Sequence, residues 1–182
     1  VDLNSYKSDF GIKNKFYRFI WFFVELILFK PFSGQIFRKW RNAILGLFGA
    51  NIHASVHIYS SVKIWAPWNL TMGAHSTLGP KVDCYNQGSI TIGANTIISQ
   101  KTYLCASTHD FTEPDFPLIC KPIIIGDSVW IAANAFVGPG VVIQNGAVVG
   151  ARAAVFKHVD SWTVVGGNPA HFIKKRVLKA YE

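Results

Sequence analysis

The sequence predicts an all-β fold: a three-sided parallel β-solenoid of about five coils, with a helical segment before it and a short tail or helix after it. Three observations predict it. Aliphatic residues recur at every sixth position from residue 52 onward, small or β-branched residues stand four positions after them, and glycine often follows the aliphatic position directly. Regular repetition at a short period outranks local propensity in setting a fold.

The unbroken run is Ile125, Ile131, Val137, Ile143, Val149 and Val155. Upstream come Ile52, Ile58 and Ile64, then Met72, Leu78 and Cys84, then Ile92, Ile98 and Leu104. The phase slips by two residues at Leu70-Thr71 and at Ile90-Thr91. Six residues advance an α-helix by about 600°, which smears such positions around the axis, so the pattern is not helical. Short strands joined by tight corners fit it. The aliphatic side chain points inward, and a small residue such as Val56, Ser76, Thr96, Thr108 or Ala147 fills the taper at the bend. Glycines such as Gly73, Gly93 and Gly126 are expected to supply backbone freedom at the turn. Three hexads make one triangular coil, and the spans 52–69, 72–89, 92–109, 125–142 and 143–160 give five coils. At ~4.8 Å per stacked strand the prism is about 25 Å long.

Residues 1–49 read as a helical segment that caps the first coil, 50–163 as the solenoid with an extruded loop at 110–124, and 164–182 as the tail. The apolar stretch Phe16–Phe29 contains Arg18 and Glu25 and is shorter than the ~20 residues that span a bilayer. Residues 34–48 place Ile36, Trp40, Ile44 and Leu47 at helical spacing beside Arg38, Lys39 and Arg41. Two readings stand for this segment: helices packed on the solenoid or on a neighbouring subunit, or a peripheral membrane contact through a basic amphipathic surface.

Eighteen basic residues against 10 acidic ones give a formal net charge of +8, which favours a polyanionic partner such as a phosphate-bearing cofactor, nucleic acid or an anionic membrane. No nucleic-acid motif accompanies the charge, so nucleic-acid binding is not expected. Cys84, Cys105 and Cys120 are odd in number and lack a CxxC spacing, which argues against a disulfide framework or zinc knuckle and for reduced thiols in a cytoplasm. The polar opening VDLNSYKSDFG does not read as a signal peptide.

The period breaks after His109, where residues 110–124 carry three prolines. A loop extruded from a rigid scaffold is a common place for function. A neutral imidazole there suits a general base near pH 7. His53, His57, His75 and His158 sit at scattered solenoid positions, and no metal site is expected from them.

The segments LGLFGANI (45–52), VKIWAPWNLTMGAHSTLGP (62–80), ISQKTYLCASTHDF (98–111), KPIIIGDSVWIAANAFVGPGVVI (121–143) and VVGGNPAHFIKKR (164–176) resemble the hexapeptide-repeat acyltransferases. The resemblance is strongest to the branch of colanic-acid and exopolysaccharide O-acetyltransferases. It implies a left-handed β-helix, acetyl-CoA as donor, a sugar or glycan hydroxyl as acceptor, and a homotrimer with active sites between subunits. It makes His109 the catalytic base. It places acceptor contacts at Asp83, Tyr85 and Asn86, with Asp110 orienting acceptor or imidazole and Trp130 near the site. It places the coenzyme along a wall of small residues, Ala132, Ala133, Gly150 and Ala151. Lys157, His171, Lys174, Lys175 and Arg176 are candidates for its phosphates, for which basic side chains are suited. The sequence has Phe156-Lys157 where the family more often has threonine then lysine, which leaves a threonine contact to the coenzyme without a counterpart. Rival readings are a non-catalytic structural solenoid and a zinc-dependent β-helix carbonic anhydrase.

Overall fold

A computed structural model of the chain describes residues 10–179, so the first nine residues of the polar opening segment lie outside it. Residues 51–166 form a parallel β-solenoid with three faces. Face one stacks strands at 51–52, 70–72, 90–92, 123–125 and 142–143. Face two stacks 57–58, 77–78, 97–98, 130–131, 148–149 and 163–166, and face three stacks 63–64, 83–85, 103–105, 136–137 and 154–155. The register keeps the aliphatic residues in columns. Ile58, Leu78, Ile98, Ile131, Val149 and Val165 form one, and Ile64, Cys84, Leu104, Val137 and Val155 another, all buried. Cys84 thus occupies an aliphatic slot, and burial pushes its thiol up.

Corners between faces one and two, and between faces two and three, hold four residues each, such as 93–96 and 132–135. Their last residue is the small one, and Val56, Ser76, Thr96, Thr102, Ala147 and Ala153 are fully buried. From the second coil onward their third residue is left-handed, as at His75, Lys81, Asn95, Asn134 and Arg152. This corrects the role expected of the corner glycines. Gly73 and Gly93 keep ordinary φ, but a Cβ on Gly73 would stand 2.7 Å from the Ala94 nitrogen, and one on Gly93 2.5 Å from the Gly126 carbonyl carbon. These glycines let coils approach closely; the left-handed turn itself is made by residues with side chains at most corners and by Gly146 at one.

The corner between faces three and one is where length varies. A 3₁₀ turn at Pro67–Asn69 and residues 86–89 occupy it in the first two coils, which is where the phase slips by two. In the third coil the chain leaves there altogether. It does so after Ala106, which is fully buried, so Thr108 is exposed rather than filling a bend.

The count of coils also differs from five. Val159 bridges Ile143 and Thr163–Gly166 pairs parallel with Val148–Val149, which begins a sixth coil. His171–Lys175 then folds back antiparallel on Thr163–Gly166, so the expected tail or helix is an edge-covering hairpin.

At the other end, α1 (Ile12–Val24), a π-helical turn (Glu25–Phe29) and α2 (Arg38–Leu47) cover the first coil. Carbonyls there have no coil above them. Three side chains supply donors instead: Trp21 Nε1 to Ile64 O at 2.7 Å, Arg41 Nε to Ile58 O at 2.9 Å, and Asn42 Nδ2 to Val56 O at 2.9 Å. Arg41 is buried with carbonyl partners, and burial lowers its pKa.

Candidate active site

The excursion from the third coil begins as a hairpin in which Ser107–His109 pairs antiparallel with Leu118–Cys120. His109 lies opposite Leu118, exposed, at the outer end of the paired arm. Its Nδ1 is 2.6 Å from the carbonyl oxygen of Phe116. A carbonyl can only accept, so Nδ1 carries the proton and Nε2 is the basic nitrogen. Phe116 holds φ at +47°, a conformation that costs a non-glycine residue ~1–3 kcal/mol. The turn is closed by Phe116 N–H to Glu113 O at 3.2 Å and Asp110 N–H to Pro117 O at 2.9 Å.

Asp110 Oδ1 accepts hydrogen bonds from the Thr112 hydroxyl and N–H. The hydroxyl bond and then the N–H bond hold its carboxyl below the usual range, so it is ionised at neutral pH. Asp110 therefore stiffens the loop, and the imidazole is oriented by the Phe116 carbonyl, a backbone group without a sequence signature.

Face three carries an outward ladder of aromatic rings leading past this corner. Trp65, Tyr85, Tyr103, Phe136 and Phe156 follow one another with centroids 6.3, 6.1, 5.7 and 5.5 Å apart. Sequence reasoning missed it, although each of these residues adjoins an inward aliphatic or thiol position. Burial pushes the Tyr103 hydroxyl up, reinforced by a hydrogen bond with Cys105.

A cleft of about 320 Å³ opens between α1 and this face, lined by Arg18, Glu25, Lys63, Trp65, Asp83 and Tyr85 among others. The Arg18 guanidinium sits 3.7 Å from the Trp65 ring centroid. Asp83 pairs with Lys63 at 3.7 Å and Glu25 with Lys30 at 3.4 Å. Burial raises the Glu25 pKa. Asp83 and Tyr85 thus border a polar cleft. Their neighbour Asn86 does not. It is fully buried, its Oδ1 accepting from Ala66 N–H at 3.0 Å and its Nδ2 donating to Ala66 O at 2.6 Å. An amide that satisfies both backbone groups of one residue holds a corner, which corrects its expected place at the acceptor. A roomier cavity, about 600 Å³ between Tyr17, Leu47 and Trp68, adjoins the helices and has no histidine or carboxylate in its lining.

The small residues expected at the coenzyme lie at the corner between faces two and three. Ala132 and Ala133 stack on Gly150 and Ala151 through Ala132 N–H to Val149 O and Arg152 N–H to Ala133 O, both 2.9 Å. This corner and the His109 arm are at opposite ends of face three, roughly 15–20 Å apart at ~3.3 Å per residue. One chain does not bring them together. Trp130 is exposed on face two beside the alanine corner, with Nε1 donating to Ser99 Oγ, one coil below Ala132, at 3.0 Å.

His171 begins the final strand opposite Gly166, near the alanine corner, and Lys174 and Lys175 continue along it, exposed. Lys157 is exposed at the corner of the His109 arm, two coils further on. Arg176 is a correction. Its Nη1 donates to Ser128 O at 2.7 Å and Gly146 O at 2.9 Å, so the guanidinium fastens the last strand to the prism. Among the described residues no three His, Cys, Asp or Glu side chains are grouped to hold a metal ion.

A family model described as bacterial transferase hexapeptide (six repeats) matches residues 122–157. The protein WcaF of Escherichia coli K12, named for colanic acid biosynthesis as an acetyltransferase, is 46% identical over 158 residues, 87% of this chain and 86% of its own. This chain belongs to the hexapeptide-repeat acetyltransferases. Membership makes it an acyltransferase rather than a purely structural solenoid. A hexapeptide-repeat acetyltransferase of Vibrio cholerae, VCA0836, solved with acetyl coenzyme A, has a TM-score of 0.73 at 25% identity, covering 93% of this chain and 92% of its own. A maltose O-acetyltransferase from Clostridium difficile 630 has a TM-score of 0.80 at 20% identity over 92% of this chain and 90% of its own, a likeness of fold: the left-handed parallel β-helix.

Proposed function

We propose that this hexapeptide-repeat acetyltransferase moves an acetyl group from acetyl-CoA to a sugar hydroxyl in surface-polysaccharide assembly, by direct transfer with His109 as general base. The observation that carries the reading is the hydrogen bond from His109 Nδ1 to the Phe116 carbonyl, which leaves Nε2 as the proton acceptor. Nε2 takes the proton of the acceptor hydroxyl as its oxygen attacks the thioester carbonyl. The tetrahedral oxyanion collapses, the carbon–sulfur bond breaks, and the imidazolium returns the proton to the departing thiolate. The names of WcaF and of the acetyl-CoA-bound Vibrio enzyme support acceptor class and donor.

The separation of the arm from the alanine corner supports a homotrimer in which the arm of one copy faces that corner of the next. The step of Ala132, Ala133, Gly150 and Ala151 would take the pantetheine chain, and His171, Lys157, Lys174 and Lys175 the phosphates. Asp83 and Tyr85 would contact the acceptor from the cleft, and Trp130 would lie at the contact between copies. We place the enzyme in the cytoplasm, where the reduced thiols read from the sequence would persist.

Incubated with acetyl-CoA and a panel of sugars and sugar nucleotides, the enzyme is expected to release coenzyme A thiol only when an acceptor is present, and to yield an acetyl ester on it. Thiol release that no sugar in the panel accelerates would contradict this reading.

A further inference from the structure

The first helix and the π-helical turn after it turn two charged side chains toward the solenoid: Arg18 lies on Trp65, and Glu25 faces the cleft beside Lys30. Their outer face is an apolar stripe of Ile12, Phe16, Phe19, Phe23, Leu26 and Ile27, all exposed. A stripe of that kind facing water mark a surface that is covered in use. Charge decides what covers it. Of the seven basic side chains between residues 10 and 50, Arg41 is buried and Arg18 lies against Trp65, which leaves Lys13, Lys15, Lys30, Arg38 and Lys39 against one acid, Glu25, itself paired with Lys30. At ~100° per residue Lys13 and Lys15 fall on either side of the stripe at its start, and Lys30 follows its end. A contact between identical copies through this stripe would set these cations against one another. An anionic lipid surface would complement them, with lysine stems lying along the apolar face and ammonium groups reaching lipid phosphates.

We propose that residues 12–30 are a membrane-docking surface that lies in the headgroup region of a bilayer rich in anionic lipid. The aromatic side chains suit that depth, and Trp40, exposed on α2 with Nε1 donating to Leu28 O at 2.9 Å, extends the aromatic surface. The helix lies on the membrane rather than through it: no helix among the described residues is long and apolar enough to cross. The docking does not depend on acetyl transfer and fails or holds separately from it.

Flotation of the full chain on vesicles tests this. Wild-type protein is expected to float with vesicles of phosphatidylcholine and phosphatidylglycerol, and to lose most flotation on phosphatidylcholine alone or at high salt. The triple variant Phe19→Ser/Phe23→Ser/Ile27→Ser is expected to lose flotation while keeping its melting temperature and its assembly mass by light scattering. The variant Lys13→Glu/Lys15→Glu, which leaves the apolar stripe intact, is expected to lose flotation too. Wild type that does not float, or floats equally on both vesicle types, overturns the proposal. So does a triple variant whose assembly mass falls, because the stripe then covers a second copy of the chain.

Discussion

Replacing His109 with alanine is expected to lower acetyl transfer by ~10²–10⁴-fold, the usual cost of losing a general base. The enzyme offers a particular reason for that size. The side chain is exposed, and the Phe116 carbonyl that it engages is on an open loop. Removing the imidazole leaves that oxygen to water, so folding should change by less than ~1 kcal/mol. The loss should therefore appear in kcat with the melting temperature unmoved, measured by thiol release beside a thermal melt. A variant that retains full turnover would remove His109 from the reaction.

The largest stability effect is expected inside the prism. Ile98 is fully buried in the face-two column between Leu78 and Ile131. Coils above and below fix its surroundings, so truncation leaves a cavity that neighbours cannot close. Ile98→Ala should cost ~2–5 kcal/mol, read as a lower denaturant midpoint. The adjacent Ile97 points outward and is 49% exposed, so Ile97→Ala should leave the intrinsic stability of the fold nearly unchanged. Equal losses from the two substitutions would mean that the inward column does not carry the solenoid.

That column is what made the fold legible. A six-residue period places one side chain per strand inward, and each coil repeats it, so sequence and architecture share one signal. The excursion was legible for the same reason, as a loss of period, although it starts at Ser107 rather than after His109 because Leu104 is the last inward aliphatic before it. Thr108 fits the small-residue pattern by type alone, and pairing with Ile119 takes it out of the prism.

The remaining differences arise where side chains meet backbone at long sequence separation. Asn86 reads as an acceptor contact until its amide is found on the backbone N–H and C=O of Ala66, twenty residues away. Arg176 reads as a coenzyme contact until its guanidinium is found on the carbonyls of Ser128 and Gly146. Polar type predicts that such a group needs partners but not whether a ligand or the chain's own peptides supply them. The corner glycines differ for a related reason. The spacing between coils, absent from any single hexad, decides that Gly93 must lack a Cβ. The final hairpin escaped because an edge-covering strand is antiparallel and breaks the period.

The proposed reaction requires the His109 imidazole of one copy to meet a thioester held by the small-residue corner of another. The direct measurement is an experimental structure of the assembled protein with coenzyme A. The coenzyme sulfur is expected within about 4 Å of His109 Nε2, near reacting distance, with the pantetheine chain along Ala132, Ala133, Gly150 and Ala151. A coenzyme bound at another face, with its sulfur far from every copy of His109, would contradict it.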